Sequence, residues 1–454
     1  MNNSAPVKFR SLARHAVLAG LVPCLLFAVS ALPARATTIE RVVSAKGIEA
    51  WLVHEPAVPL IAVDFAFVGG ATQDPPGKAG TASLAASLLD DGAGDLDSKT
   101  FQDRLERKAI EMGFNVERDN IRGSLRTLSE NRDEAFDLLR LALTEPRFDA
   151  SNVELNRAQT ISILRRQTTS PGDIASRRWW ETAFEGHPYG RPVNGTVESL
   201  PNITADDLRA YTHRALARAN LKIAVVGDID AETLKPLLDR VFGALPEQPD
   251  LTPVANVTLQ GLGRRIVVNL DVPQAVVDFG GPGIARKDPD FMAAYIINHV
   301  LGSGASDSRL YQEVREKRGL AYSVADSLIW LNHSALFLGG TATRADRTGE
   351  ALDLIEKEIH RLADEGPTAA ELAEAKNYLN SSFALNLDTS SKIAALLVQL
   401  QLDDLGIDYF SKRPAMIEAV TLDDSKRVAK RLLDSGLLVT VVGRPQGVAS
   451  TTAN

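Results

Sequence analysis

The chain has 454 residues, with 50 Lys and Arg against 58 Asp and Glu and a formal net charge of −8, a length that suits two to three domains. An acidic total disfavours nucleic acid and anionic lipid as partners, though it leaves room for a local basic patch. The single cysteine, Cys24, lies in the N-terminal leader, so the mature chain is expected to have neither a disulfide nor a thiol nucleophile.

Residues 1–36 carry Lys8, Arg10 and Arg14 ahead of an apolar run from Ala16 to Leu32, and close on Ala34-Arg-Ala36. This is the layout of a secretory signal peptide. A run of about 17 residues interrupted by Pro23 is short for a membrane span, and Pro23 stands where a lipoprotein box needs a small residue. Removing the four basic residues of the leader takes the net charge to −8 − 4 = −12. The mature chain is expected to begin near Thr37, to be exported, with the periplasm as its compartment, and to hold no integral membrane segment.

Ile61 to Val68 alternates like a strand, Ala82 to Leu89 and Arg132 to Leu143 repeat like helices, Glu154 to Arg166 is a long polar helix, and Leu221 to Val226 is a buried strand. Hairpin-like strand pairs that precede paired helices predict an α+β fold of antiparallel layers. Four landmarks then recur in order. Asp133-Glu-Ala-Phe-Asp-Leu-Leu139 returns as Gly349-Glu-Ala-Leu-Asp-Leu-Ile355, and Val225-Val-Gly-Asp228 as Val441-Val-Gly-Arg444. Thr204-Ala-Asp-Asp207 returns as Thr421-Leu-Asp-Asp424, and the pair Gly92/Gly94 as Gly302/Gly304. A near-constant offset predicts a duplicated domain. The three prolines of Leu245 to Pro253 mark the joint. The expected layout is a signal peptide at 1–36, an N-terminal domain at 37–247, a linker at 248–262, a C-terminal domain at 263–446 and a tail at 447–454.

The stretch from Ser306 to Tyr322 reads as a helix, a C-capping Gly319 and a strand running from Leu320 to Leu331. Arg315 and Tyr322 are thereby held across a tight turn and can converge on one acceptor, for which a peptide carbonyl suits both donors. The competing reading is an Arg that meets only solvent and the helix dipole. Gly302-Ser303-Gly304, just before this helix, reads either as a flexible substrate-touching loop or as a turn into an N-cap. Trp179-Trp180 is expected to be half packing and half surface, and the pairs Asp90-Asp91 and Asp403-Asp404 to be solvated. No P-loop, dinucleotide fingerprint or Gly-x-Ser-x-Gly elbow occurs. Among His54, His187, His213, His299, His333 and His360, no two stand one helical turn apart, and solitary histidines usually pack or face solvent.

Ser308-Arg-Leu-Tyr311, running into Arg315 and then Arg318-Gly-Leu-Ala-Tyr322, resembles the second-domain signature of the insulinase/pitrilysin family of zinc peptidases. Gly186-His-Pro-Tyr-Gly190, Gly195-Thr-Val-Glu-Ser-Leu200 and Asn220-Leu-Lys-Ile-Ala-Val-Val-Gly-Asp228 extend the resemblance over nearly the whole mature chain. It implies two homologous domains, each an antiparallel sheet backed by helices, enclosing a chamber. It also implies that Arg315 and Tyr322 hold the substrate backbone, with Gly302, Ser303 and Gly304 as possible further contacts. The family's zinc domain carries His-x-x-Glu-His on a helix and a third ligand, Glu, on a later one. Here Ser83, Ala86, Ser87 and Ile163 fall at those four positions. The resemblance therefore implies no catalytic residue, no metal and no cofactor on this chain, with zinc carried by a homologous His-x-x-Glu-His partner subunit. The function it implies is that of a zinc-free subunit of a heteromeric metallopeptidase, inactive alone and acting on peptides. The alternative is a non-proteolytic binding or scaffold protein, as in the family's core subunits of respiratory complexes. A third reading, a self-sufficient peptidase with relocated ligands, would require bound zinc.

Overall fold

The computed structural model describes residues 38–385 and 387–451; the expected signal peptide lies outside the described residues. Two mixed sheets form from successive parts of the chain. The first contains β1 (Glu40–Val43), β2 (Glu49–His54), β3 (Leu60–Val68), β4 (Glu111–Val116), β5 (Asn120–Leu128) and β6 (Leu221–Gly227), in the order β1-β2-β6-β3-β5-β4. The second contains β7 (Arg265–Asn269), β8 (Gln274–Pro282), β9 (Ala321–Trp330), β10 (Ala335–Arg344) and β11 (Leu438–Gly443), in the order β7-β11-β8-β10-β9. Without β1, the two orders correspond strand by strand. The duplication expected from four short matches is thus present as topology. Thr204 and Thr421, one of the repeated pairs, each close a capping box with the Asp three residues on. The sheets are mostly antiparallel, but each has one parallel pair, β2 with β6 and β7 with β11. A long helical crossover makes such a pair possible.

The strands in the middle of the first sheet are buried on both faces, which is why they read as nearly continuous apolar runs. In β3, Ile61, Val63, Phe65 and Phe67 join the core of the first half. Ala66, with Trp51, Val53, Ala224 and Val226, joins a core made largely by the second half. The cause is an exchange of helices. Ser390–Leu402, from the second half, lies on β3 and β6, and Pro171–Ala183, from the first half, lies on β8 and β11. Each is pinned to the sheet it covers. Gln401 Nε2 donates to the Ile223 carbonyl at 2.8 Å, and the buried Trp179 Nε1 donates to the Leu438 carbonyl at 3.0 Å. Trp179 and Trp180 are both buried rather than half on the surface, because the sheet they cover belongs to the other half.

Residues 248–262 form neither helix nor strand and are tied down at several points. Gln73 bonds both to Thr252 N (2.8 Å) and to Thr252 O (3.1 Å), while Val257 N donates to His333 O and Gln260 N to Ala183 O, each at 2.9 Å. Beside this segment the halves meet in a polar knot. The buried Tyr189 hydroxyl donates to the Asp119 carboxylate at 2.8 Å, and Asp119 also accepts the Asn332 amide at 2.9 Å. The His333 amide donates to the Tyr189 oxygen at 3.0 Å.

Candidate functional site

The site stretch is built on β9, an edge strand of the second sheet. Leu310 and Val314 are fully buried and seat the preceding helix. Gly319 caps it at φ +59, where a Cβ would meet no atom within 4 Å; its N–H donates to Arg315 O and the next N–H to Val314 O, each at 2.9 Å. The helix, however, is a π-helix over Tyr311–Glu316 rather than an α-helix. A second π-helical turn, His299–Ser303, also packs on β9. Strand β9 itself carries a bulge. Val324 faces Thr341 and Ala321 faces Thr343, so Tyr322 and Ser323 stand opposite Ala342 alone and both point to solvent. Bulges and π-turns of this kind re-aim side chains.

The bulge turns Tyr322 toward Arg315. The guanidinium carbon lies 5.0 Å from the Tyr322 ring centroid and 4.6 Å from that of Tyr311, whose hydroxyl accepts a hydrogen bond from Arg315. Glu316 lies 3.8 Å from Arg315 Nε. Tyr322 is 84 % exposed, and its hydroxyl forms no hydrogen bond among the described residues. The two residues singled out from sequence therefore stand side by side at the surface. Tyr311 completes the group, a role that its signature position alone did not disclose.

Gly302-Ser303-Gly304 is not a loose loop. Gly302 and Gly304 are buried and only Ser303 is exposed. Gly302 rests on Asp326 of β9 so closely that a Cβ would come within 2.3 Å of Asp326 Oδ1, while Gly304 has the His299 ring and carbonyl beside it. Asp326 is buried and accepts from Asn298 Nδ2 at 2.5 Å; its Oδ1 has no hydrogen-bond partner among the described residues. Burial pushes this carboxyl well above the usual carboxylate range, and only the Asn298 bond and its own backbone oppose the shift. Asp326 sits on the inward face of β9, opposite Gly339, a placement set by the register of β10.

The residues that the resemblance aligns with the zinc motif lie on or beside two helices, Thr81–Ala86 and Ala150–Gln167, which pack against each other. The first helix is shorter than expected, ending before Ser87. Its start is held by Asp74, whose carboxyl accepts the N–H groups of Gly80 (2.7 Å) and Ala82 (2.8 Å) and which burial pushes up to about 6. Ser83 donates its hydroxyl to Asn194 Oδ1 at 2.8 Å and Ser87 donates to the Leu84 carbonyl at 3.0 Å. Ala86 is buried and Ile163 is 46 % exposed. Two engaged neutral hydroxyls and two hydrocarbon side chains do not fit a zinc ion or a water-activating base. Among the described residues no three His, Cys, Asp or Glu side chains gather as a ligand set.

The remaining expectations divide. His187 is structural: its Nδ1 accepts the Tyr189 amide at 3.2 Å, so Nε2 carries the proton given to the Ala255 carbonyl at 3.0 Å. Asp404 is exposed, as expected, and pairs with Lys287, but Asp403 is not solvated. It accepts from Trp330 Nε1 at 3.0 Å and from Gln399 at 2.9 Å, and lies 3.4 Å from Arg286.

Residues 202–379, which include β7 to β10 together with Arg315 and Tyr322, match the family described as the peptidase M16 inactive domain. The solved peptidase M16 inactive domain from Pseudomonas fluorescens superposes with a TM-score of 0.84 at 25% identity, covering 92% of this chain and all of that one. This chain resembles M16 peptidase inactive domains. It is similar to the non-peptidase homolog YmxG of Helicobacter pylori, at 26% identity over 372 residues, 82% of this chain and 85% of that protein. It is also similar to an uncharacterized zinc protease of Streptomyces coelicolor, at 29% identity over 327 residues, 70% of each chain. The insulinase/pitrilysin-type peptidase resemblance read from sequence is thereby confirmed, as is the α+β class. Among the described residues no helix is long and apolar enough to cross a membrane.

Proposed function

We propose that this chain is an exported, periplasmic, zinc-free subunit of a heteromeric metallopeptidase. It would bind peptides and orient them for a homologous His-x-x-Glu-His partner, which would supply zinc and the water-activating Glu. The observation that carries this reading is the pairing of Arg315 with the exposed Tyr322 on a chain whose Ser83, Ala86, Ser87 and Ile163 positions have no ligand chemistry. A guanidinium and a phenol side by side can donate to one substrate carbonyl, which fixes the strand and polarises the bond to be cut. Peptides or unfolded segments small enough to enter a chamber between the two subunits are the substrates this chemistry suits.

The test is capture of the tagged mature chain from its native envelope fraction, with the complex assayed on a mixed peptide library with and without a zinc chelator. Recovery of a His-x-x-Glu-His homologue with chelator-sensitive cleavage supports the reading. Arg315→Ala combined with Tyr322→Phe should then abolish cleavage while leaving the complex assembled. Capture of no such homologue, with no cleavage, refutes it in favour of a binding or scaffold role.

A further inference from the structure

Two aromatic rings lie within cation–π distance of the Arg315 guanidinium, and only one of them, Tyr322, is exposed. Tyr311 stands four residues earlier on the same π-helix, half-buried, with its ring centroid 4.6 Å from the Arg315 guanidinium carbon and its hydroxyl bonded to that guanidinium. Its backbone is anchored by the fully buried Leu310 and Val314 on either side. Tyr322, 5.0 Å from the same carbon, hangs from the bulge of β9 and is mostly in solvent. An exposed arginine ordinarily samples many rotamers, and ordering it against a ligand costs entropy at the moment of binding. Here that ordering is done in advance by the inner ring. The hydroxyl contact to the guanidinium is an interaction that an apolar side chain at 311 would not make.

We propose that Tyr311 is the positioning residue of the peptide-binding pair: it clamps Arg315 from the protein side, so that the outward N–H groups of Arg315 and the Tyr322 hydroxyl meet one backbone carbonyl of an extended peptide. The proposal rests on the reading of Arg315 and Tyr322 as a peptide-binding pair, and it adds a third residue and a division of labour. Tyr311 never touches the ligand. Its hydroxyl and its ring face contribute separately, because the first sets the direction of the guanidinium and the second its plane.

The experiment measures binding of a fluorescein-labelled pool of random ten-residue peptides to the full mature chain by anisotropy. The wild type is compared with Arg315→Ala, Tyr311→Phe and Tyr311→Leu, with each variant's melting temperature recorded. Proton and carbon spectra of arginine-labelled chain report the ring-current shift of the Arg315 side chain independently of any ligand. The expected results are a loss of about tenfold for Arg315→Ala and about fivefold for Tyr311→Leu, with about two- to threefold for Tyr311→Phe, in line with one cation–π contact and one charge-assisted hydrogen bond. The upfield shift of Arg315 should survive Tyr311→Phe and shrink in Tyr311→Leu, at unchanged melting temperatures. Wild-type affinity in both Tyr311 variants, with binding lost in Arg315→Ala, overturns the role of Tyr311 and leaves the pair intact. An affinity loss in Tyr311→Leu that tracks a lowered melting temperature, with the Arg315 shift unchanged, makes Tyr311 a packing residue and also overturns the proposal. Binding that is absent in the wild type or unaffected by Arg315→Ala refutes the functional reading, and the proposal with it.

Discussion

Replacing Gly302 by alanine puts a methyl carbon 2.3 Å from Asp326 Oδ1, 2.9 Å from the Asp326 amide nitrogen and 3.1 Å from Asp326 Cγ. None of these atoms can retreat cheaply. The amide belongs to β9, in register with Gly339 of β10, and the carboxyl is buried and held by Asn298 at 2.5 Å. Overpacking of one methyl group in a closed site costs about 1–3 kcal/mol. A collision with both a strand backbone and a tethered carboxyl puts this substitution near about 3 kcal/mol, the top of that range. Urea unfolding followed by circular dichroism measures it. Gly319→Ala is the control, since no atom lies within 4 Å of its added methyl and the residue's φ of +59 alone is strained; that should cost only about 1 kcal/mol. A double-mutant cycle then isolates the contact. In an Asp326→Ala background the 2.3 Å collision vanishes, so Gly302→Ala should cost at least about 1 kcal/mol less than in the parent. A Gly302→Ala loss below about 0.5 kcal/mol, or an equal loss in both backgrounds, would refute the account of the π-turn as clamped onto the Asp326 carboxyl.

Asp326 also makes a pH prediction. Its folded-state pKa is raised by burial, so between the ordinary carboxylate value of about 4 and the raised one the folded chain holds a proton that the unfolded chain has released. Stability is therefore lost as pH rises through that window, and Asp326→Asn should flatten the decline in urea midpoint measured from about pH 4 to about pH 8. Trp179→Phe keeps most of the packing but leaves the Leu438 carbonyl without its 3.0 Å donor, and should cost about 1–3 kcal/mol by the same unfolding assay. Trp179→Ala should cost about 3–5 kcal/mol, because the ring is fully buried between helix Pro171–Ala183 and the opposite sheet. Tyr189→Phe removes the donor to Asp119 and should destabilise by about 1–3 kcal/mol in thermal unfolding; an unchanged midpoint would deny the polar knot any part in joining the halves.

Much of this molecule follows from local chemistry, and that part was legible in the sequence. Ser83, Ala86, Ser87 and Ile163, which the resemblance aligns with the zinc motif, carry hydroxyl and hydrocarbon side chains, a fact of residue type that needed no coordinates. Gly319 announced its left-handed cap because the residue type alone permits that backbone at low cost. The matched pairs at a near-constant offset announced a duplication, which the strand orders of the two sheets repeat. Tertiary structure decided the rest. A helical period marks which face of Pro171–Ala183 or Ser390–Leu402 is apolar, but the same face satisfies either sheet, and only the packed chain assigns each helix to the other half. The four-residue spacing of Leu310 and Val314 suits an α-helix or a π-helix alike, so the sequence did not distinguish them. Alternation along β9 breaks at a bulge that depends on the register of β10, and that break is what turns Tyr322 toward Arg315. Asp326 reads as one more acid until the strand parity and the Gly302 turn bury it. Side-chain chemistry and backbone preference are local properties, whereas burial, register and the choice of partner face depend on which distant segments arrive alongside.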